Sequence, residues 1–266
     1  MILLIHNLKT CKMLRVRASN CSALFTGTDG LTAKQTETLD GLLAKEKLTD
    51  NQSKKLDELM DKRDAPPTLG EGAKTLIEQS IDEQIYEYKD SISSREMTKG
   101  TDVEDDSIEI YNRIFFTNHH KCEEFDEHHS LSHGVCTGHP DIVDIPSRKV
   151  IDVKSSWSKK TFPKRPPSNP KYDWQVKMYL YMLTKKTGEL WSDGEIAYIL
   201  TNTPEELMPD HENDSLHYMD SLEDHLRATV VKVTLTEEDI AHMEARLNAA
   251  VVYADEYVNF LNNKNK

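Results

Sequence analysis

Gly138-His139-Pro140-Asp141-Ile142-Val143-Asp144-Ile145-Pro146-Ser147-Arg148-Lys149-Val150-Ile151-Asp152-Val153-Lys154-Ser155 is the stretch whose reading decides the fold. Residues 134–145 and 149–155 alternate in the manner of half-buried strands, and Pro146-Ser147 between them supplies turn chemistry. Residues two apart on a strand leave the same face, so Asp152 and Lys154 project together. A hairpin would carry Asp141 alongside that face. A D-x-K pair is common on surface strands and says little alone. Inside the apolar run Val150-Ile151-Asp152-Val153-Lys154 the two charges would cost on the order of several kcal/mol if dry and unpaired. A metal site or an open cleft resolves that cost.

Working outward, residues 122–129 alternate as well and complete an antiparallel meander of three strands. Beyond it the pattern predicts a helix over 174–183, strands over 195–201 and 225–235, and a closing helix over 237–261 introduced by Thr236. Upstream, the stretch from Met13 turns at Ser19 into a short helical segment through Leu24, which Thr26-Gly27 stops. Leucines 39, 42, 43, 48, 56 and 59 recur at helical spacings, with Thr49-Asp50-Asn51 as break and new cap, and so predict a helical hairpin. Pro66-Pro67 and Gly70 end it, and amphipathic helices follow over 73–88 and 101–116. The expected fold is α/β (α+β), a central mixed sheet flanked by helices in one domain over 1–266, with 31–98 as a helical insertion.

The 266 residues suffice for one sizeable core, and 37% hydrophobic with 30% charged residues is the balance of an ordinary soluble protein. The apolar residues 1–5 are far too short to cross a bilayer, so no membrane partner and an intracellular location are expected. Four cysteines, at 11, 21, 122 and 136, form no dense framework, and reduced thiols are the default. A net charge of -13 discourages general binding to nucleic acid, so any DNA site must be local. The basic segment 158–171 is the candidate, the alternative being a plain solvated loop: Lys159, Lys160, Lys164, Arg165 and Lys171 occur there without an acid. Trp157, Phe162 and prolines are interleaved, which reads as a stiff exposed loop able to track a phosphate backbone and stack an unpaired base. Cys122, His129, His133 and Cys136 lie in a histidine-rich stretch, but they lack the tight knuckle spacing of a structural zinc.

Glu104 on the helix before the sheet, Asp141, Asp152 and Lys154 together form a group suited to phosphodiester hydrolysis. Hard carboxylate oxygens suit Mg²⁺ or Mn²⁺, which lower the pKa of bound water and offset charge on phosphorus. Lys154 would orient or help deprotonate that water and offset charge on the phosphate.

The order Gly138-x-Pro-Asp141, Ile151-Asp-Val-Lys154 and Gln175-x-x-x-Tyr179 resembles motifs two, three and four of the PD-(D/E)XK nucleases. Lys99-Gly-Thr-Asp-Val-Glu104, followed by Tyr111, resembles their first motif. Arg17-Ala-Ser19 resembles the segment that opens the phage recombination exonucleases of the lambda exonuclease and YqaJ kind. The resemblance runs from about residue 13 to 183, with aspartate at 152 where glutamate is commoner. It implies a restriction-endonuclease-like core and metal ligation by Glu104, Asp141, Asp152 and the carbonyl of Val153, with Lys154 as the catalytic lysine. Gln175 and Tyr179 would face the site and position the substrate strand, and Arg17 and Ser19 would hold a terminal 5′-phosphate, with Arg15 equally well placed. The implied activity is an exonuclease acting at duplex DNA ends, 5′ to 3′, in phage recombination in the cytoplasm of a bacterial host. By analogy its assembly is a homotrimer and its partner a single-strand annealing protein. A non-catalytic module binding DNA ends or a partner on the same fold, and a restriction-type endonuclease, are the alternatives.

Overall fold

The computed structural model describes residues 13–28, 30–31, 33–65, 68–89, 93–125, 130–208 and 213–264. Pro66-Pro67, residues 1–5, Cys11, His129 and the second half of the strand expected over 122–129, all used in the sequence reading, lie outside the described residues. In chain order the first elements are β1 (Val16–Arg17), a 3-10 segment (Ala18–Phe25), β2 (Gly27–Thr28), α1 (Ala33–Leu43), α2 (Asp50–Asp64), β3 (Thr68–Leu69) and α3 (Glu71–Ile85). Then come α4 (Arg95–Asp102), α5 (Glu104–Phe115), β4 (Leu131–His133), β5 (Cys136–Gly138), β6 (Ile142–Asp144) and β7 (Lys149–Ser156). The last are α6 (Pro170–Thr187), β8 (Asp193–Leu200), β9 (Ala228–Thr234) and α7 (Glu237–Asn263). None of the described helices is long and apolar enough to cross a membrane.

The chain divides into two compact units, one of Ala23–Asp82 with most of the closing helix, the other of Arg15–Ser22 with Glu83–Ile240. In the first, the α1–α2 hairpin buries Leu39, Leu42 and Leu59, with Leu31, Leu48, Leu56 and Met60 packed against them. Thr49 and Gln52 form a reciprocal capping box at the start of α2, satisfying two of the backbone donors that a helix leaves unpaired there. β2 and β3 pair antiparallel, and Gly27 stands where any Cβ would lie 2.0 Å from the Thr68 carbonyl. Arg246 of α7 is fully buried and donates from Nη1 to that same carbonyl at 2.8 Å.

The second unit holds the sheet that matters for chemistry, in the order β6-β7-β8-β9. β7 and β8 run parallel over their full length, while β6 and β9 pair antiparallel at the two sides, so the sheet is mixed. A smaller sheet, β1-β5-β4, is mixed too. β7 is covered on both faces. Ile151 and Val153 pack with Ile108, Ile110 and Tyr111 of α5 and with Ala197 and Ile199 of β8. The alternate residues face α6, which approaches so closely that a Cβ on Gly194 would meet Val176 Cγ1 at 2.4 Å.

Three expectations are corrected. The three-stranded antiparallel meander is not found among the described residues: residues 122–125 make no strand, β5 pairs with β4 and β1 in another sheet, and of the expected pairings only that of β6 with β7 is present. The helix expected over 101–116 breaks at Val103, whose φ of -110° and ψ of 19° separate α4 from α5. The helix expected from 174 begins at Pro170, because Asn169 caps it and proline costs nothing at a first position whose N–H has no helical partner anyway. Gly188, with φ of 74°, ends it.

Candidate active site

Asp141 directly precedes β6, and the pairing of Ile142 with Ile151 sets it across from Asp152. Beyond that pair the β6 ladder stops, and the Val153 amide donates instead to Asp141 Oδ2 at 2.6 Å. Asp152 and Lys154 share a face as the alternation requires, with Lys154 Nζ 2.6 Å from Asp152 Oδ2. Distance and direction disagree in this contact. The two charges touch, yet Oδ2 is buried and has no partner with hydrogen-bond geometry. The contact is a Coulombic pair that leaves acceptor capacity on that oxygen. The other oxygen, Oδ1, accepts from Gln175 Nε2 at 3.0 Å. The same nitrogen donates to Tyr179 Oη at 3.1 Å, and Tyr179 in turn donates to the His139 carbonyl at 3.0 Å. Gln175 and Tyr179 thus sit one helical turn apart and face the site, but their hydrogen bonds aim the Asp152 carboxylate. Gly138 makes this possible, since a Cβ there would lie 2.6 Å from Tyr179 Cε1 and 3.0 Å from the Ala18 Cβ.

Burial and then the neighbouring Asp152 push the Asp141 carboxyl up, against Lys154, and Glu104 adds to the rise. Burial likewise raises Asp152, with Lys154 opposing. Burial alone would lower the Lys154 ammonium, but Asp152 and Asp141 together hold it above its ordinary value. The two crowded acids therefore hold protons more tightly than usual, while the ammonium between them keeps its own. Lys154 also lies over the Tyr172 ring, 5.0 Å from its centre.

Glu104 opens α5 and is close enough to raise Asp141, but its carboxylate is paired with Lys121 at 2.9 Å. Among the described residues no three His, Cys, Asp or Glu side chains converge on one point. Two carboxylates with an intervening carbonyl still fit a hard divalent cation, because Mg²⁺ keeps several waters and takes only one or two carboxylates from a protein. The buried, unsatisfied Oδ2 of Asp152 is the atom that argues for such an ion. Of the residues weighed for zinc, Cys122 is half-buried, Cys136 is buried, and burial pushes the Cys136 thiol up to about 12.

The residues expected to touch DNA fall in two places. β1 pairs parallel with β5, Arg17 beside Thr137, which brings Arg17 and Ser19 to the strand that leads into Asp141. Both are exposed, as is Arg15, and Arg17 Nη2 is 3.5 Å from Glu83. The second place is the loop after β7. Lys160, Lys164 and Arg165 are exposed there, whereas Phe162 is buried, which corrects the picture of an entirely exposed loop. Lys159 Nζ donates to the Ser215 carbonyl, and Trp157 sets its ring edge-on to His217. Between loop and strand opens a cleft of about 410 Å³, lined by Lys154, Ser156, Trp157, Asn169, Tyr172 and Tyr198 among others.

Lys121, Tyr172 and Tyr198 escaped the sequence reading, and Lys99 entered it only as the first residue of the segment leading to Glu104, with no role of its own. Tyr172 was recoverable, since Asn169-Pro170 is a helix-start signal and would have put Tyr172 one turn before Val176 on the face toward β7 and β8. Lys121 and Lys99 reach their partners only through tertiary structure, which no local pattern shows.

This fold and this grouping define a nuclease. The sequence profile of the PD-(D/E)XK nuclease superfamily matches residues 37–260, and the chain belongs to that superfamily. No curated protein sequence matches it. Among solved structures, the chain is similar to a phage-related exonuclease from Haemophilus somnus 129PT, with a TM-score of 0.65 and 18% identity over 94% of this chain and 97% of the other. It also aligns with the alkaline exonuclease LHK-Exo from Laribacter hongkongensis, with a TM-score of 0.48 and 13% identity over 74% of this chain and 87% of that one.

Proposed function

We propose that this chain is a divalent-metal-dependent DNA exonuclease that hydrolyses duplex ends 5′ to 3′ in phage recombination. The observation that carries the reading is the meeting of Asp141, Asp152 and Lys154 at the β6–β7 pairing, where the buried Oδ2 of Asp152 is met by the Lys154 ammonium at 2.6 Å outside hydrogen-bond geometry. The full length of the phage-related exonuclease to which the chain is similar supports the exonuclease class. Asp141, Asp152 and the Val153 carbonyl, with Glu104, would hold Mg²⁺ or Mn²⁺. Such an ion supplies a bound water of lowered pKa and neutralises charge on the phosphate.

Each residue has a stated task in this reading. Gln175 and Tyr179 fix the rotamer of Asp152 so that Oδ2 stays aimed into the site. Lys154 keeps its proton on Nζ and offsets charge on the phosphate oxygens. Glu104, paired with Lys121 at 2.9 Å, would turn to the ion when one is bound. Arg17 and Ser19 take a terminal 5′-phosphate, and Lys159, Lys160, Lys164 and Arg165, with Trp157, follow the strand beyond it. The whole chain acts as one nuclease domain with residues 31–98 as an insertion, in the cytoplasm of a bacterial host. A homotrimer and a single-strand annealing partner complete the assembly.

The test is digestion of a 5′-phosphorylated linear duplex and a closed circle with Mg²⁺, beside the Lys154→Ala protein. Loss of the linear DNA alone, abolished by the substitution and by chelator, is the expected result. Cutting of the circle would make the chain an endonuclease. No cleavage of either with Mg²⁺ or Mn²⁺ would leave a DNA-binding module.

A further inference from the structure

Lys99 of α4 is fully buried, and no carboxylate among the described residues pairs with it. Its ammonium is instead surrounded by oxygens. Nζ donates to the carbonyls of Ser156 at 2.8 Å, Trp157 at 3.0 Å and Thr201 at 3.0 Å, and lies 2.9 Å from Thr203 Oγ1. Ser156 is the last residue of β7 and Trp157 the first of the basic loop, while Thr201 is the first residue after β8. One side chain thus gathers the ends of two parallel strands at the point where their ladder of backbone hydrogen bonds runs out. Thr203 Oγ1 also donates to the Trp157 carbonyl at 3.1 Å, so the loop's first peptide is held twice. The element that delivers Lys99 leads through Val103 directly into α5 and Glu104, and α5 touches β7 again through Ser107 Oγ and Ser155 Oγ, 2.7 Å apart.

A buried cation is among the costliest groups a fold can carry, and an apolar side chain of the same length would fill the space without that cost. Such a group earns its place where it fixes a geometry. We propose that Lys99 is a positioning residue that fixes the exit of β7, and with it Lys154 and the basic loop, against the helix that carries Glu104. It touches neither the substrate nor the reacting atoms. It acts by holding the strand end, two residues past Lys154, at one distance from α5. The proposal rests on the nuclease reading above for its functional half.

The test uses the full chain with Lys99→Met, which keeps the length and removes every donor, and Thr203→Val, which removes one acceptor and one donor while leaving Lys99 in place. Hydrogen–deuterium exchange is followed over residues 155–168 and 200–204, and kcat and KM are measured on the 5′-phosphorylated linear duplex with Mg²⁺. The expected result is faster exchange confined to those segments, with kcat lowered by roughly 10–100-fold and KM changed by less than about 3-fold, as for a misplacement of about 1 Å at catalytic groups. A merely structural lysine would lower the amount of folded enzyme while leaving the kcat of the folded fraction intact, and that result would overturn the proposal. So would unchanged exchange. If Lys99→Met does not fold, Thr203→Val decides by the same readouts with smaller changes in the same direction. If the wild-type protein cuts no DNA, the nuclease reading fails by itself, and the exchange measurement alone decides whether Lys99 holds the strand end.

Discussion

Asp152 has its two carboxylate oxygens in different circumstances, one accepting from Gln175 and one pressed against Lys154 without a hydrogen bond. That asymmetry predicts separable effects. Asp152→Asn removes a charge that burial disfavours, so cleavage should fall by roughly 10³-fold or more while the thermal midpoint holds or rises. A parallel loss of both would show that the carboxylate serves the fold instead. Lys99 offers a second prediction. Burial pushes its ammonium down to about 8, well below the ~10.4 of an unfolded lysine. Between those values the unfolded chain holds more protons than the folded one, so folding stability must rise with pH there. Denaturant titrations of the wild type and Lys99→Met at pH 7.0 (~7) and near pH ~9.5 should show the wild type gaining on the variant, by about 1.4 kcal/mol per unit of the shift traversed. A flat difference would mean that burial leaves this lysine untouched. Asp141, Asp152 and Lys154 were legible in the sequence because alternation on one strand and a neighbouring turn are local facts. Lys121 was not, since its pairing with Glu104 joins two segments that the fold alone brings together.

Elements were legible where their signals were local. Thr49, expected in the break between the two helices, caps α2, and Thr236 accepts from the Asp239 amide at the start of α7. Thr49→Ala should therefore cost about 1 kcal/mol, measured by denaturant unfolding. Beyond the β6–β7 hairpin, which its turn announced, strand partners were not legible, because period-two alternation marks a strand's faces and is silent about its neighbours. Residues 134–145 alternate without interruption, yet His139-Pro140-Asp141 hands the chain from one sheet to the other, and the meander inferred from adjacency dissolves there. Gly138 sits at that handover. In Gly138→Ala the added methyl meets Tyr179 and Ala18, and either must move. The expected outcome is a loss of about 1–3 kcal/mol in stability with a fall in cleavage, as Tyr179 no longer supports Gln175. Restoration of activity by Tyr179→Phe in the same chain would contradict this account, since the hydroxyl that joins Gln175 to the His139 carbonyl would still be missing.

Across the whole molecule, a net charge of -13 opposes the approach of DNA, so the proposed reading requires local positive surface such as the basic loop. Replacing Lys160, Lys164 and Arg165 by Gln should weaken duplex binding and flatten its dependence on salt, each lost phosphate contact removing roughly 0.9 from the slope of log K against log salt. Binding measured in Ca²⁺ across a KCl series would read this directly, and an unchanged slope would remove the loop from the interface. The parallel pairing of β7 with β8 has a kinetic consequence. Asp152 stands opposite Ile196 in that ladder, and the intervening chain must first fold α6 and cross over before the two can meet. Contacts so distant in sequence close slowly, whereas the α1–α2 hairpin and the capped helices form from near neighbours. On dilution from denaturant the helical signal should therefore recover well before the first scissile bond is cut, and a chain still emerging from the ribosome stays harmless to DNA until β8 has been made.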